Sequence, residues 1–202
     1  MQSKSSFNPG NDIFSAGENP RPKSRMRLLL HCCCAPCATY VLEHLSPIYM
    51  ITVFFYNPNI KPQEEYDKRA EELRKLIALA DYPDIEDVIV CEYAPGEFDA
   101  VAAPFWHEPE GGERCRVCFT LRLSKVAAAA GVGKFDYFAS TLSVSPHKNA
   151  GQINQIGSDL AQGVCAGYLV SDFKKRGGFQ RSIELSKRYC LYRQTYCGCL
   201  PG

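Results

Sequence analysis

Short, uniformly apolar runs alternate along this chain with longer stretches in which apolar residues return every three or four positions. Leu28-Leu29-Leu30 lies in a continuous apolar run, which suits a strand buried on both faces and predicts a first strand at 26–31. The β-branched and aromatic stretch 48–56 predicts a second strand, stopped by Asn57-Pro58-Asn59. Further strands are expected at 87–92 and 137–141, with a short extended segment at 167–171. Helical spacing predicts helices at 36–45, with Pro36 in its first turn, and at 62–80, where Glu64, Glu65 and Asp67 precede Arg74 and Lys75 as the helix dipole prefers. Others fall at 116–130, closed by Gly131, at 148–162 and at 179–189. Residues 143–146 read as a loop. Residues 95–113, with Trp106, His107, Gly111 and Gly112, read as an irregular connection that forms a lid or rim.

Strand–helix alternation with connections of this length defines an α/β fold, a mostly parallel sheet with flanking helices. Sites in such sheets lie beyond the carboxyl ends of the strands. Segments 31–37, 57–62 and 140–147 occupy those positions.

At 202 residues, with 46% hydrophobic and 22% charged residues, the chain has the size and composition of one globular domain. No apolar run approaches the roughly 20 residues that span a bilayer, so no membrane partner is expected. Residues 1–25 are rich in Ser, Asn, Pro, Gly and Lys, lack the apolar stretch of a secretory signal, and read as a flexible tail. That leaves 26–202 as a single catalytic domain in a cytoplasmic protein, where clustered thiols serve metals or redox chemistry rather than structural disulfides. The net charge of +1 says little about partners. Lys174, Lys175, Arg176, Arg181, Lys187, Arg188 and Arg193 crowd the end of the chain, as a phosphate-binding face or simply a solvated basic surface.

Cysteine placement changes the picture most. Eight of the eleven fall into tight groups: Cys32-Cys33-Cys34 with Cys37, Cys115 with Cys118, and Cys197 with Cys199. Cys91, Cys165 and Cys190 stand alone and read as packing. The first group follows a buried strand and opens a helix, whose dipole favours thiolates, the soft ligands of zinc and iron–sulfur centres. Cys115-Arg116-Val117-Cys118 at a helix start suits two metal ligands, a redox couple or a structural turn. Together the two groups offer more sulfurs than the four of a closed zinc site, which favours an open or redox-active centre, iron–sulfur above all. Cys197-Gly198-Cys199 would close a small, strained disulfide ring that is easily reduced, so a redox pair is favoured over two further ligands.

The loop from Ser140 and Thr141 to His147 is rich in hydroxyls and could hold a phosphate or nucleoside at a helix N-terminus, with capping by Ser145 as the plainer reading. No Gly-rich phosphate loop follows the first strand; cysteines stand there instead. His31, beside the thiols, is either a hydrogen-bond donor to sulfur or a satisfied strand-end histidine.

Several strings taken together resemble the cobalamin-independent epoxyqueuosine reductases of the QueH type. They are His31-x-Cys33-Cys34-Ala35-Pro36-Cys37, Phe55-Tyr56-Asn57-Pro58-Asn59-Ile60, Cys115-x-x-Cys118-Phe119, Ser140-Thr141-Leu142 and Ser145-Pro146-His147-Lys148-Asn149. Asp172-Phe173-Lys174-Lys175, the stretch from Arg181 to Ser186 and the stretch from Tyr192 to Cys199 complete the set, in order, over residues 28–199. The resemblance implies a fold like that of the adenine-nucleotide α-hydrolases and reduction of epoxyqueuosine to queuosine at the tRNA wobble position. It also implies a [4Fe–4S] cluster on Cys33, Cys34, Cys115 and Cys118, with Cys197 and Cys199 as the redox-active pair. In another partition Cys37 completes the cluster and one additional iron ion sits by Cys34, Cys197 and Cys199. Cys32 is an extra thiol within the motif. Partners implied are tRNA bearing epoxyqueuosine and a one-electron donor protein. Substrate-binding candidates are Tyr56, Ser140, Thr141, His147, Asp172 and Arg181; Tyr56, His147 and Asp172 are candidate proton donors, and Phe179, Tyr192 and Tyr196 candidate stacking residues.

Overall fold

The computed structural model describes residues 25–199. The expected tail therefore falls, but for Arg25, outside the described residues. Five strands form one all-parallel sheet: β1 (Arg27–His31), β2 (Met50–Phe55), β3 (Ile85–Val90), β4 (Tyr137–Ser140) and β5 (Gly167–Tyr168), in spatial order β3-β2-β1-β4-β5. Six helices flank it: α1 (Ala35–Leu45), α2 (Gln63–Leu79), α3 (Pro95–Ala102), α4 (Glu113–Val132), α5 (Ala150–Ala161) and α6 (Gly178–Arg188). This is the α/β fold that the sequence pattern predicts.

Period-two alternation sorts the strand residues onto two cores. Leu28 and Leu30 of β1 join Ile51, Val53, Leu42 and Leu73 on the face covered by α1 and α2, while Leu29 joins Phe54, Phe138, Leu123 and Ile153 on the face covered by α4 and α5. Both faces of β1 are buried, so its sequence reads as an unbroken apolar run instead of an alternation. Helix α6 packs on α1, and α3 on α4.

The chain winds outward from β1 to β3, then jumps back to place β4 on the other side of β1. At that reversal the loops leaving β1 and β4 diverge, and a crevice opens between them. His31 pairs in register with Ser140, so the first cysteine group and the hydroxyl-rich segment leave the sheet side by side.

Four expectations need correction. Part of the supposed irregular connection 95–113 is helix α3, started by Pro95 and Glu97 and anchored by buried Phe98 and Ala102, one turn apart. Two apolar anchors in eight residues are too few to announce a period, and Pro104 disguises the stretch further. The supposed loop 143–146 overlaps a 3-10 turn at Thr141–Val144. Asn149, not Ser145, caps α5 by accepting from the Gln152 amide at 3.1 Å. Cys165 and Cys190 are exposed, so packing describes at most half-buried Cys91.

Gly178 marks the closest approach of α6 to the body. A Cβ there would stand 2.0 Å from the Phe173 carbonyl oxygen and 2.4 Å from the Tyr40 ring. Gly178→Ala should therefore destabilise the fold by about 1–3 kcal/mol through overpacking, read from the urea midpoint. An unchanged midpoint would mean that α6 can slide on α1.

Candidate active site

The turn from β1 into α1 aims three sulfurs at one point. Cys34 is the residue before the helix, in extended conformation, and Cys37 is the third residue inside it. The sulfurs of Cys33, Cys34 and Cys37 all lie within 4.8 Å of one another, with 3.8 Å between Cys33 and Cys34. Cys32 belongs instead to the core on the α1 face, fully buried, and burial followed by the charges of Cys33 and Cys34 holds its thiol protonated. The extra thiol of the motif is thus a packing residue.

Within the trio the negative charge settles on one sulfur. Hydrogen bonds from the Cys34 and Cys37 thiols bring Cys33 well below the usual thiol range despite burial, and the cations of Lys148 and Arg122 assist. Cys37 moves up for the same reason, its proton being shared toward Cys33. Thr141, delivered by the β1–β4 register, accepts from the Cys33 amide at 3.3 Å and places its hydroxyl 3.6 Å from the Cys33 sulfur.

The second group opens α4. Cys115 is also a third helical residue, and its sulfur accepts from the Gly111 amide at 3.2 Å. Cys118 lies one turn on, in a small apolar cluster with Phe98, Ala102, Trp106 and Cys199. Burial raises its thiol to about 11, although Arg122 opposes the shift and donates to its sulfur at 3.9 Å.

The third group is strapped across the carboxyl edge. Arg69 of α2, itself fixed by Glu65 at 2.7 Å, donates to the Cys197 carbonyl at 2.9 Å and the Tyr196 carbonyl at 3.4 Å. The Gly198 carbonyl accepts from the Lys61 amide at 3.1 Å. Gly198 has φ +111 and lies against Ile60, so both its conformation and its lack of a side chain are required. A hydrogen bond from Cys199 lowers the Cys197 thiol to about 5 against the cost of burial, with Lys148 and Arg122 contributing, and raises Cys199 correspondingly. No two of the eleven cysteine sulfurs lie at bonding distance.

A cleft of about 430 Å³ joins the first and third groups; Cys115 and Cys118 are not among the residues that line it. Cys33, Cys37, Cys197, Arg122 and Lys148 line it, with His147, Phe179, Tyr196 and Arg193 among its other walls. Burial alone would lower the Lys148 ammonium, but the sulfurs of Cys197, Cys33 and Cys37 outweigh it and hold the group charged.

The other candidates divide. His147 lines the cleft and is exposed. Ser140 is buried, its hydroxyl 2.8 Å from His31 Nδ1 and accepting from the Leu142 amide at 3.2 Å. His31 Nε2 lies 3.2 Å from the Tyr56 carbonyl and so donates, leaving Nδ1 to accept from Ser140. Burial and Arg122 lower this imidazole to about 3, and it is neutral. His31 is therefore the satisfied strand-end histidine. Tyr56 is buried, its hydroxyl donating to Glu97. Asp172 pairs with Lys174 at 3.0 Å and Lys175 at 3.6 Å, and Arg181 with Glu43 at 2.6 Å, none of the three among the residues lining the cleft. Of the stacking candidates, Phe179 and Tyr196 line it, whereas Tyr192 lies beneath Lys68 and bonds to Glu65.

Sequence reasoning missed Arg122, Asn57, Arg69 and the part played by Lys148. Arg122 carried a legible signal: it follows Cys115 by seven and Cys118 by four residues, on one face of one helix. Arg69 follows Glu65 by four, which alone reads as a surface ion pair.

Fold and site together define a parallel α/β protein with cysteine sulfurs gathered at the carboxyl edge of the sheet. Comparison with known proteins specifies it. The profile of the family "Epoxyqueuosine reductase QueH" matches residues 28–201, and the chain belongs to that family, whose members are oxidoreductases. A protein named epoxyqueuosine reductase QueH from Streptococcus pyogenes serotype M1 is 45% identical over 178 residues, covering 87% of this chain and 70% of its own. Its counterpart in Staphylococcus epidermidis (strain ATCC 12228 / FDA PCI 1200) is 44% identical over 184 residues, 89% of this chain and 77% of its own. One from Thermotoga maritima is 31% identical over 181 residues, 86% of this chain and 88% of its own.

The strap can be tested apart from catalysis. A hydrogen bond from a charged donor contributes about 1.5–3 kcal/mol. Arg69→Ala should thus speed amide exchange in residues 196–199 roughly tenfold or more, with β1 unchanged, by hydrogen-exchange mass spectrometry. Unaltered exchange would show that the Lys61–Gly198 bond suffices.

Proposed function

We propose that this protein reduces epoxyqueuosine at the wobble position of tRNA to queuosine, the last step of queuosine formation, in the cytoplasm. Family membership supports the reaction, and the observation that carries the chemistry is the convergence of two thiol groups on one cleft: Cys33, Cys34 and Cys37 within 4.8 Å of one another, and Cys197 with Cys199. Converting the epoxide to an alkene consumes two electrons and two protons and releases the oxygen as water.

The donor set fits an iron–sulfur centre. It is all thiol, the soft ligand type, and three of its sulfurs receive or face protein donors: Cys33 from Thr141, Cys115 from Gly111 and Cys118 from Arg122. Cys33, Cys34, Cys115 and Cys118 would hold a [4Fe–4S] cluster, with Cys37 as alternative ligand. A bound cluster would relay single electrons from a donor protein. Cys197 and Cys199 match them to a two-electron substrate: closing a thiolate and a thiol to a disulfide releases two electrons and the Cys199 proton. His147 is the one candidate proton donor of the three that lines the cleft. Phe179 and Tyr196 offer faces to a splayed nucleobase, and Arg193 with exposed Lys187 and Arg188 offers charge to phosphates.

One distance favours a second reading. The 3.8 Å between the Cys33 and Cys34 sulfurs equals the edge of a thiolate tetrahedron built on metal–sulfur bonds of about 2.3 Å. Cys33, Cys34 and Cys37 would then hold one zinc ion in place of the cluster.

Anaerobic purification with iron, sulfide and zinc analysis separates these. About four irons with equal sulfide, bleached by dithionite, are expected. A fifth iron would favour the partition in which Cys37 completes the cluster and Cys34, Cys197 and Cys199 hold a further iron, and stoichiometric zinc without sulfide would end the cluster reading. Cys197→Ser and Cys199→Ser should each keep the cluster and lose turnover of epoxyqueuosine-bearing tRNA. Normal turnover in both would remove the dithiol from the mechanism.

A further inference from the structure

The guanidinium of Arg122 is the one feature of the site that ordinary folding economics does not explain. The side chain is 1% exposed, yet its partners are an amide and a thiol rather than a carboxylate. One terminal nitrogen donates to Asn57 Oδ1, the other to the Cys118 sulfur at 3.9 Å, and Nε has no hydrogen-bond partner. A guanidinium cannot escape burial by losing its proton. A buried charge without a counter-charge is strongly disfavoured. The groups that help to hold it charged are sulfurs, those of Cys118, Cys33 and Cys197, and of these Cys33 and Cys197 are the acidic ones.

Asn57 makes the arrangement specific. Its amide nitrogen donates to the Cys32 carbonyl at 3.0 Å, which fixes the amide orientation and turns Oδ1 to Arg122. The guanidinium is thereby tied to the first cysteine turn by a neutral group. An aspartate at 57 could still accept from Arg122 but would cancel its charge, and it could not donate to the Cys32 carbonyl. Lys148, the other cation of the cleft, sits half-buried on a flexible stem, whereas Arg122 is locked within α4.

We infer that Arg122 is a positioning residue that serves as the fixed counter-cation of the thiolate centre, with Asn57 holding it in place without neutralising it. Three or four thiolates around a divalent ion are net anionic, and a one-electron reduction of a cluster adds a further negative charge. A fixed positive charge beside them favours the reduced state. It also strengthens binding by four thiolates, because the metal displaces thiol protons and leaves the loaded site more anionic than the empty one with its single thiolate. The redox half of this inference rests on the cluster reading above; the metal-binding half does not.

The experiment compares wild type with Arg122→Gln, Arg122→Lys and Asn57→Asp. Anaerobic titration of the iron-loaded proteins reads the reduction equilibrium. Arg122→Gln and Asn57→Asp should each shift it tenfold or more toward the oxidised form, about 59 mV for one electron, while Arg122→Lys stays near wild type. Asn57→Asp retains the guanidinium and its hydrogen bond but loses the donation to the Cys32 carbonyl, so Asn57→Ser, which loses that donation without adding charge, is its control. A shift in Asn57→Asp that Asn57→Ser does not share decides the matter if Arg122→Gln fails to fold. An unchanged potential in loaded Asn57→Asp overturns the inference. Cadmium(II) titration of the metal-free proteins gives the second readout, with roughly tenfold weaker binding expected in Asn57→Asp. If wild type carries neither iron nor sulfide, the cluster reading fails and the cadmium result alone decides: weaker binding sustains the counter-cation, equal binding overturns it.

Discussion

The pairing of His31 with Ser140 across β1 and β4 is the constraint on which the rest of the site hangs. It sets a neutral imidazole between the Ser140 hydroxyl and the Tyr56 carbonyl, so the ends of three strands are pinned at one depth. Everything chemical begins one or two residues later. Cys33 meets Thr141 because both follow that pair, and Asn57 reaches the Cys32 carbonyl because Tyr56 is held. A slip of the register would leave the same residues present but scattered.

Charge is the second organising principle. Two cations with different freedoms, Arg122 inside α4 and Lys148 at the cleft, face sulfurs from all three cysteine groups. Protons are divided unequally as a result: Cys33 and Cys197 are the acidic thiols, and Cys34, Cys37 and Cys199 hold the protons. Each acidic sulfur has a thiol neighbour as its hydrogen-bond donor, Cys34 and Cys37 for Cys33 and Cys199 for Cys197.

Much of this was legible before any coordinates. Strand and helix positions followed from periodicity because β1, β2 and α2 are long and consistently patterned, and the crevice followed from the rule for parallel sheets. Helix α3 was not, since eight residues with two buried anchors carry too little pattern. The thiol groups announced themselves by spacing. Of the residues around them, Arg122 showed only its spacing from Cys115 and Cys118, while Asn57 and Arg69 matter through contacts 65 and 128 positions away in sequence, which local pattern cannot express. Of the polar residues singled out, Ser140 and Thr141 stand behind the thiols, and His147 reaches the cleft.

The middle residue of the Cys197-Gly198-Cys199 segment has no chemistry of its own, yet it is the most confined of the three. Its backbone sits at φ +111, Ile60 closes the space where a side chain would go, and its carbonyl is committed to Lys61. In evolutionary terms the position offers almost no room for drift. A sulfur can be lost by one substitution that leaves the strap in place, whereas any side chain at 198 would have to fit a left-handed backbone and press on Ile60. The geometry of the dithiol is thus written in the residue that carries no thiol.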